Sequence, residues 1–380
     1  MIISGFTKSA LPFLKYLTCM IFYNFLQNLK NIPGWTTSRK IVVLECDDWG
    51  SINMPSNEAY SRMLAAGLNV GNRKWNRSDT LETSRDLEDL FHVLDSVRDS
   101  RNKPAVFTPF TNVANPDFDK IKADGFAKYH YEKFTDTLKR YYPDDNVFKL
   151  WMEGLNAGIF VPELHGREHF SVQFWLQELQ SGNKDLHDAF NEGFVSLDLP
   201  GALPQVRGFR AEFFFAEEDQ TPFLLDSLKD GVSIFKEIFG YVPRVFVPAN
   251  GIFHPDFEGL LADTGVKYLW VNQVMRYPSK DGRLKSRWMK SGQKGPGGLI
   301  YYTRNCSFEP NGEDYKGVDF TLKQIEAAFR WGKPAVISSH RASYAGGLDP
   351  ANRSRGLNEL KMLLNRIIEK WPDIEFNVIG

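Results

Sequence analysis

Four short stretches of this sequence carry residue types that hold metals or move protons. Asp47 and Asp48 stand side by side after an apolar run, His165 and His169 are four apart, Asn250 follows "RVFVPA", and His340 closes "PAVISS". Two neutral imidazoles suit zinc and related ions, and one added carboxylate gives a three-ligand set that leaves a position for water. A divalent ion lowers the pKa of its water toward ~7, so a second carboxylate has a role as base and a histidine as acid for a leaving amine. Each residue also has a plainer reading. Adjacent aspartates cap turns and helices, an i, i+4 histidine pair can sit idle on a helix surface, and His340 can be a satisfied core residue. His92, beside an apolar stripe, reads as merely solvated. It is the set as a whole that points to chemistry.

Elements able to bring these residues together are visible in the pattern. "RKIVVLECDDWGS" is a continuous apolar run, which predicts a strand buried on both faces. A helix carrying Leu87, Leu90, Phe91, Leu94 and Val97 on one face precedes a second strand over Lys103–Phe110. Strands are also expected in "GIFVPELHG", "RVFVP", "KYLWVN" and "KPAVISSH", alternating with helices that include Pro222–Phe239, stopped by Gly240 and Pro243, and a last helix, Leu357–Lys370, leads into "IEFNVIG". Alternation of this kind predicts an α/β fold with parallel strands, and ligands in such folds bind at the carboxyl ends of the strands, where the polar clusters fall. The stretches near 111–157 and 188–215 break the pattern and read as insertions bordering that rim.

Forty-six basic and forty-seven acidic residues leave no field to draw nucleic acid or an anionic membrane. Cys19, Cys46 and Cys306 are few and widely spaced, which fits a reducing, cytoplasmic setting. Residues 1–36 form a separate element. Ala10–Leu29 is largely apolar but interrupted by Lys15, Asn24, Gln27 and Asn28, so it reads as a helix that packs on the domain or makes peripheral contact with a membrane surface.

The order of these motifs resembles that of the NodB-type polysaccharide deacetylases, carbohydrate esterases built on a distorted (β/α) barrel. "ECDDWGS" is similar to their first motif, "HGREH" to their His-x-x-x-His motif, "PAVFTPF" to the strand between, "KYLWVN" loosely to the fourth motif and "ISSH" to the fifth. The resemblance spans Lys40 to the C-terminus of this sequence. It implies Asp47 as catalytic base, Asp48, His165 and His169 as ligands of one divalent ion such as zinc, and His340 as general acid. It also implies a carbohydrate substrate, with Trp49, Trp270 and Arg341 as contacts to it. In "GYVPRVFVPANG" the third motif is altered: Val247 stands where the family has an arginine that orients the base, and Asn250 where it has a tyrosine. The Asn250 backbone N–H is still available for an oxyanion hole. Arg210, Arg244 and Arg341 are the candidates to replace the arginine.

Two rival readings remain at this point. His165, Glu168 and His169 also spell H-x-x-E-H, an inverted zinc-peptidase signature with Glu168 as base, although that motif belongs on a helix and Gly166 lies inside it. Loss of the arginine is equally compatible with a carbohydrate-binding relative that no longer turns over substrate.

Overall fold

The computed structural model describes residues 25–380 except positions 200, 202, 204 and 207. At its centre are nine strands, all paired in parallel. In chain order they are β1 (Lys40–Trp49), β2 (Phe107–Asn112), β3 (Glu163–Gly166), β4 (Val245–Phe246), β5 (Tyr268–Trp270), β6 (Ile300–Tyr302), β7 (Cys306–Ser307), β8 (Ala335–His340) and β9 (Ile374–Phe376). Across the sheet the order is β6-β5-β4-β3-β2-β1-β8-β7, and β9 pairs with the first residues of β1. Parallel neighbours need long crossovers, here supplied by helices such as Ser84–Asp95, Thr221–Phe239, Val318–Arg330 and Pro350–Lys370.

Strand alternation divides β1 between two cores. Ile41 and Val43 join Phe110, Val245, Val247, Tyr302 and Val336 in one cluster inside the curl of the sheet. Val42, Leu44 and Cys46 face the opposite way and pack with the helices in the main core. β6 and β7 are the two edges, yet only Thr303, Arg304 and Asn305 separate them in sequence, a span of at most ~14 Å. The edges must therefore approach each other. The sheet is a curled half-barrel of the parallel strands that the alternating pattern predicts, in keeping with the distorted barrel that the resemblance implies, and a three-residue bridge crosses its open side.

Local signals account for the helix limits. Thr83 and Asp86 form a capping box at the start of Ser84–Asp95. Gly240, at φ 81°, ends Thr221–Phe239 in the left-handed conformation that favours glycine. The stretch from 188 to 215 is less irregular than its composition suggests, since it begins within a helix, Lys184–Asn191, capped by Asn183. Two antiparallel ribbons, Ala114–Pro116 with Tyr131–Lys133 and Val274–Pro278 with Leu284–Trp288, decorate the half-barrel.

Most of the apolar helix expected at the N-terminus, residues 1–24, lies outside the described residues. Residues 25–31 are helical and are tied to the half-barrel by polar contacts: Gln273 donates to the Lys30 carbonyl, Asn305 to Asn31 and Trp331 to Asn28. Among the described residues no helix is long and apolar enough to cross a membrane.

Candidate active site

Adjacent residues of a regular strand point to opposite faces, so Asp47 and Asp48 should not share a cavity. They do, because β1 is irregular there. Its pairing with β2 slips between Cys46 and Trp49, and Asp48 has φ 74°. This bulge with a left-handed residue turns both carboxylates into one cavity of about 430 Å³ at the carboxyl ends of the strands. It also turns Trp49 away. Trp49 is 1% exposed and packs edge-on against Phe107, Trp151 and Phe160, so it is a core residue and not the substrate contact expected from its place beside the aspartates.

Asp48, His165 and His169 converge. Asp48 Oδ1 lies 3.3 Å from His165 Nε2 and 3.0 Å from His169 Nε2. A ligand atom from each of the three falls within 4.8 Å of the others. The pair does not share a helix face: His165 lies in β3, and Gly166 at φ 120° turns the chain to bring His169 round. His165 Nδ1 donates to the Val247 carbonyl at 2.7 Å, which fixes the tautomer and leaves the Nε2 lone pair facing Asp48. Both Nε2 of His165 and Oδ1 of Asp48 are buried without a hydrogen-bond partner. Two acceptors aimed at each other need a cation between them. Ligands ~2.1 Å from one ion stand ~3.0–3.4 Å apart at angles between octahedral and tetrahedral, so the trio fits a divalent metal. Burial would raise the Asp48 pKa, but the His169 charge beside it outweighs burial and holds the carboxyl well below the usual carboxylate range.

The arginine absent at 247 is supplied from elsewhere. Arg304, on the bridge between β6 and β7, grips Asp47 with two parallel bonds of 2.6 and 2.7 Å and reaches Glu45 at 2.6 Å through Nε. Its guanidinium lies over the Phe110 and Trp270 rings, inside the curl of the sheet. Burial pushes the Asp47 pKa up, but the Arg304 charge and bonds outweigh it and keep Asp47 below its ordinary value, ionised at neutral pH. None of the three arginines expected for this role performs it. Arg210 pairs with Asp198. Arg244 lends its backbone N–H to Glu163. Arg341 is fully buried, paired with Asp79 and Glu82 and bonded to the Ser51 carbonyl. Arg341 is thus also unsuited to touch substrate; it holds Asp79 and the loop after β1 in place.

His340, at the end of β8, has the carboxylate partner that its sequence neighbourhood does not reveal. Its Nδ1 lies 2.5 Å from Glu309 Oε1, and its Nε2 lies 3.9 Å from Asp47 Oδ2. Burial works against the imidazolium, but Glu309 more than offsets it, and the pKa rises to about 10. His340 is therefore protonated at neutral pH, beside an ionised Asp47. One group holds a proton and the other can take one.

The cavity wall draws on both stretches expected to border it: Asn115 and Pro116 from the first, Val195, Ser196 and Arg210 from the second. The segment after β1, which sequence reasoning left unassigned, adds Asn53, Arg73, Trp75, Asn76 and Asp79. Trp270 and Asn250 also line the cavity, Asn250 in a tight turn with φ 54°. Glu168 is held by Arg167 at 2.8 Å, which also binds Asp230. With Glu168 so engaged and His165 in a strand, the H-x-x-E-H peptidase reading loses both its free base and its helix.

No protein-family model matches the chain, and no curated protein matches it. Among solved structures it is similar to 4-α-glucanotransferase from Thermococcus litoralis (10% identity, 90% of this chain, 39% of that chain, TM-score 0.42). It is also similar to a protein described as a polysaccharide deacetylase from Mycobacterium smegmatis (13% identity, 91% and 90% coverage, TM-score 0.41). A third is the GH57 branching enzyme of Thermococcus kodakaraensis (10% identity, 90% and 70% coverage, TM-score 0.41). The chain spans about two fifths of the glucanotransferase, 39% of its length. These likenesses are too distant to carry an activity or a substrate over to this chain.

Proposed function

We propose that this protein is a metal-dependent hydrolase that removes an acetyl or related acyl group from an N-acylated sugar, in the manner of the NodB-type deacetylases its motifs resemble. The observation that carries the reading is the meeting, in one cavity, of the Asp48–His165–His169 trio with an arginine-held carboxylate on one side and a carboxylate-held histidine on the other. Asp48, His165 and His169 would hold one divalent ion, zinc by the chemistry of two imidazoles and a carboxylate. When bound, the ion supplies Lewis acidity and makes water a nucleophile near neutral pH. Asp47, kept ionised by Arg304, takes the proton of the attacking water. His340, kept protonated by Glu309, gives a proton to the departing amine. The Asn250 backbone N–H, in a turn that lines the cavity, is the candidate donor to the developing oxyanion, and Trp270 is the candidate wall for a sugar ring. Arg304 against Asp47 supports this reading over a binding relative that lacks an arginine at the base.

The test pairs metal analysis with acetate release from acetylated hexosamine oligosaccharides. Asp48→Ala is expected to lower zinc affinity. Asp47→Asn is expected to keep zinc and lose ~10²–10⁴-fold in turnover, the usual worth of a general base. Full activity in Asp47→Asn, or zinc held equally well by Asp48→Ala, would sink the assignment.

A further inference from the structure

Arginines and carboxylates are unevenly matched around this cavity. Behind Asp47, Asp79 and Glu168, which line it, three guanidiniums each lie between two carboxylates: Arg304 between Glu45 and Asp47, Arg341 between Asp79 and Glu82, Arg167 between Glu168 and Asp230. Asp48 adds a further carboxylate with no arginine of its own, and the surplus suits a cation. At Asp198 the ratio inverts. Arg73 donates from Nε and Nη2 to the two oxygens of Asp198, the latter at 2.7 Å. Arg210 donates to the same Asp198 at 3.3 Å and to the Ser196 carbonyl at 3.0 Å.

Among the described residues these two permanently charged guanidiniums are bonded to one carboxylate between them, and both arginines line the same cavity as Asp48 and His340. Their side chains are 31% and 16% exposed, open enough to meet a ligand and sheltered enough that salt screens them only partly. Among the described residues the Arg73 Nη1 has no hydrogen-bond partner. A guanidinium fork matches the paired oxygens of a carboxylate or a phosphate. We propose that the substrate is an anionic glycan, and that a carboxylate or phosphate on or beside the acylated sugar docks on Arg73 and Arg210 in competition with Asp198. The proposal rests on the hydrolase reading only for which sugar group reacts; the anion site stands on its own geometry.

The test is calorimetric binding to the zinc-loaded full chain. The probes are a neutral N-acetylhexosamine oligosaccharide, the same with one ring as hexuronate, and the same with one ring 6-phosphorylated. One charged probe is expected to bind ~10–100-fold tighter than the neutral one, the scale of a hydrogen bond to a charged group, and the two charged arms show which anion is meant. Arg73→Gln and Arg210→Gln should each narrow that gap. Asp198→Asn, which removes the competitor, should widen it, an effect that damage to the fold does not imitate. Equal binding of neutral and charged probes, a gap that survives both arginine changes, or a gap reduced by Asp198→Asn would each overturn the proposal. Acetate release is read separately. Anion preference without release leaves this site standing and sinks the hydrolase reading, whereas release without anion preference does the reverse.

Discussion

Replacing Arg304 with glutamine tests the acid–base assignment where it is most exposed to refutation. The wild-type side chain gives Asp47 two charge-assisted bonds, at 2.6 and 2.7 Å, and gives Glu45 one at 2.6 Å. A guanidinium in such contact lowers a carboxylate pKa by ~1–3 units, and each unit is worth ~1.4 kcal/mol. In Arg304→Gln that depression vanishes while burial still raises the pKa. The acid limb of kcat/KM against pH should then move up by ~1–3 units. Stability should fall as well, by ~3–5 kcal/mol at neutral pH, because two nearly inaccessible carboxylates lose their cation. The sign of the pH dependence follows from Asp47. Its folded pKa lies below the unfolded one, so its contribution is present above the unfolded value near ~3.9 and is lost as pH falls through the folded value. The stability gap between wild type and variant should therefore close on acidification. Arg304→Lys keeps the charge and loses the fork, so its limb should shift less while kcat still drops. Rate profiles from acetate release, and urea unfolding at pH 7 and at about pH 2, measure both effects. An unmoved acid limb, with a gap that is the same at both pH values, would refute the reasoning.

Glu309→Gln should lower the His340 pKa from about 10 toward the ordinary ~6.5, and the basic limb of turnover should fall with it; a limb that stays put would remove Glu309 as the partner of the acid. Because the folded His340 pKa is raised, its stabilising contribution is full below ~6.5 and is lost as pH rises through about 10, so urea unfolding should show the variant converging on wild type at high pH. Trp49→Ala should cost ~3–5 kcal/mol in unfolding free energy with little change in KM, and a large KM effect in a stable variant would restore Trp49 as a sugar contact. Gly166→Ala forces a side chain into φ 120° with its Cβ 2.0 Å from Glu212 Oε2; zinc affinity measured by competition with a chelator should fall, and unchanged affinity would show that His165 and His169 do not depend on that turn.

Long apolar runs and helix stops made much of the half-barrel readable. β1, β8 and the helix ending at Gly240 carry strong local signals, and Asp47, Asp48, His165, His169 and His340 stand where strand ends were expected. What stayed hidden has physical causes. β6 and β7 have three and two residues, too short for periodicity to show, so Arg304 between them had no frame that would mark it as inward-facing. Glu309 follows β7 in the same irregular stretch. Trp49 and Arg341 looked like substrate contacts because they adjoin Asp48 and His340 in sequence, but neighbours along a strand or tight turn point in different directions. The left-handed backbone at Asp48 decides which of them faces the cavity, and no residue type at that position announces it.

The division of labour along the chain has a consequence for how such a protein can diverge. Every residue of the Asp48–His165–His169 trio is encoded by position 169, whereas the guanidinium that grips Asp47, and His340 with its carboxylate, are all encoded between 304 and 340. Only a main-chain carbonyl, that of Val247, joins the first group from in between, and a carbonyl is indifferent to which side chain position 247 carries. A change of side chain there leaves that carbonyl in place, even where it costs a buried contact in the cluster inside the curl, so the bond that orients His165 does not depend on which residue stands at 247. The trio and the charges that face it are in this sense separately inherited.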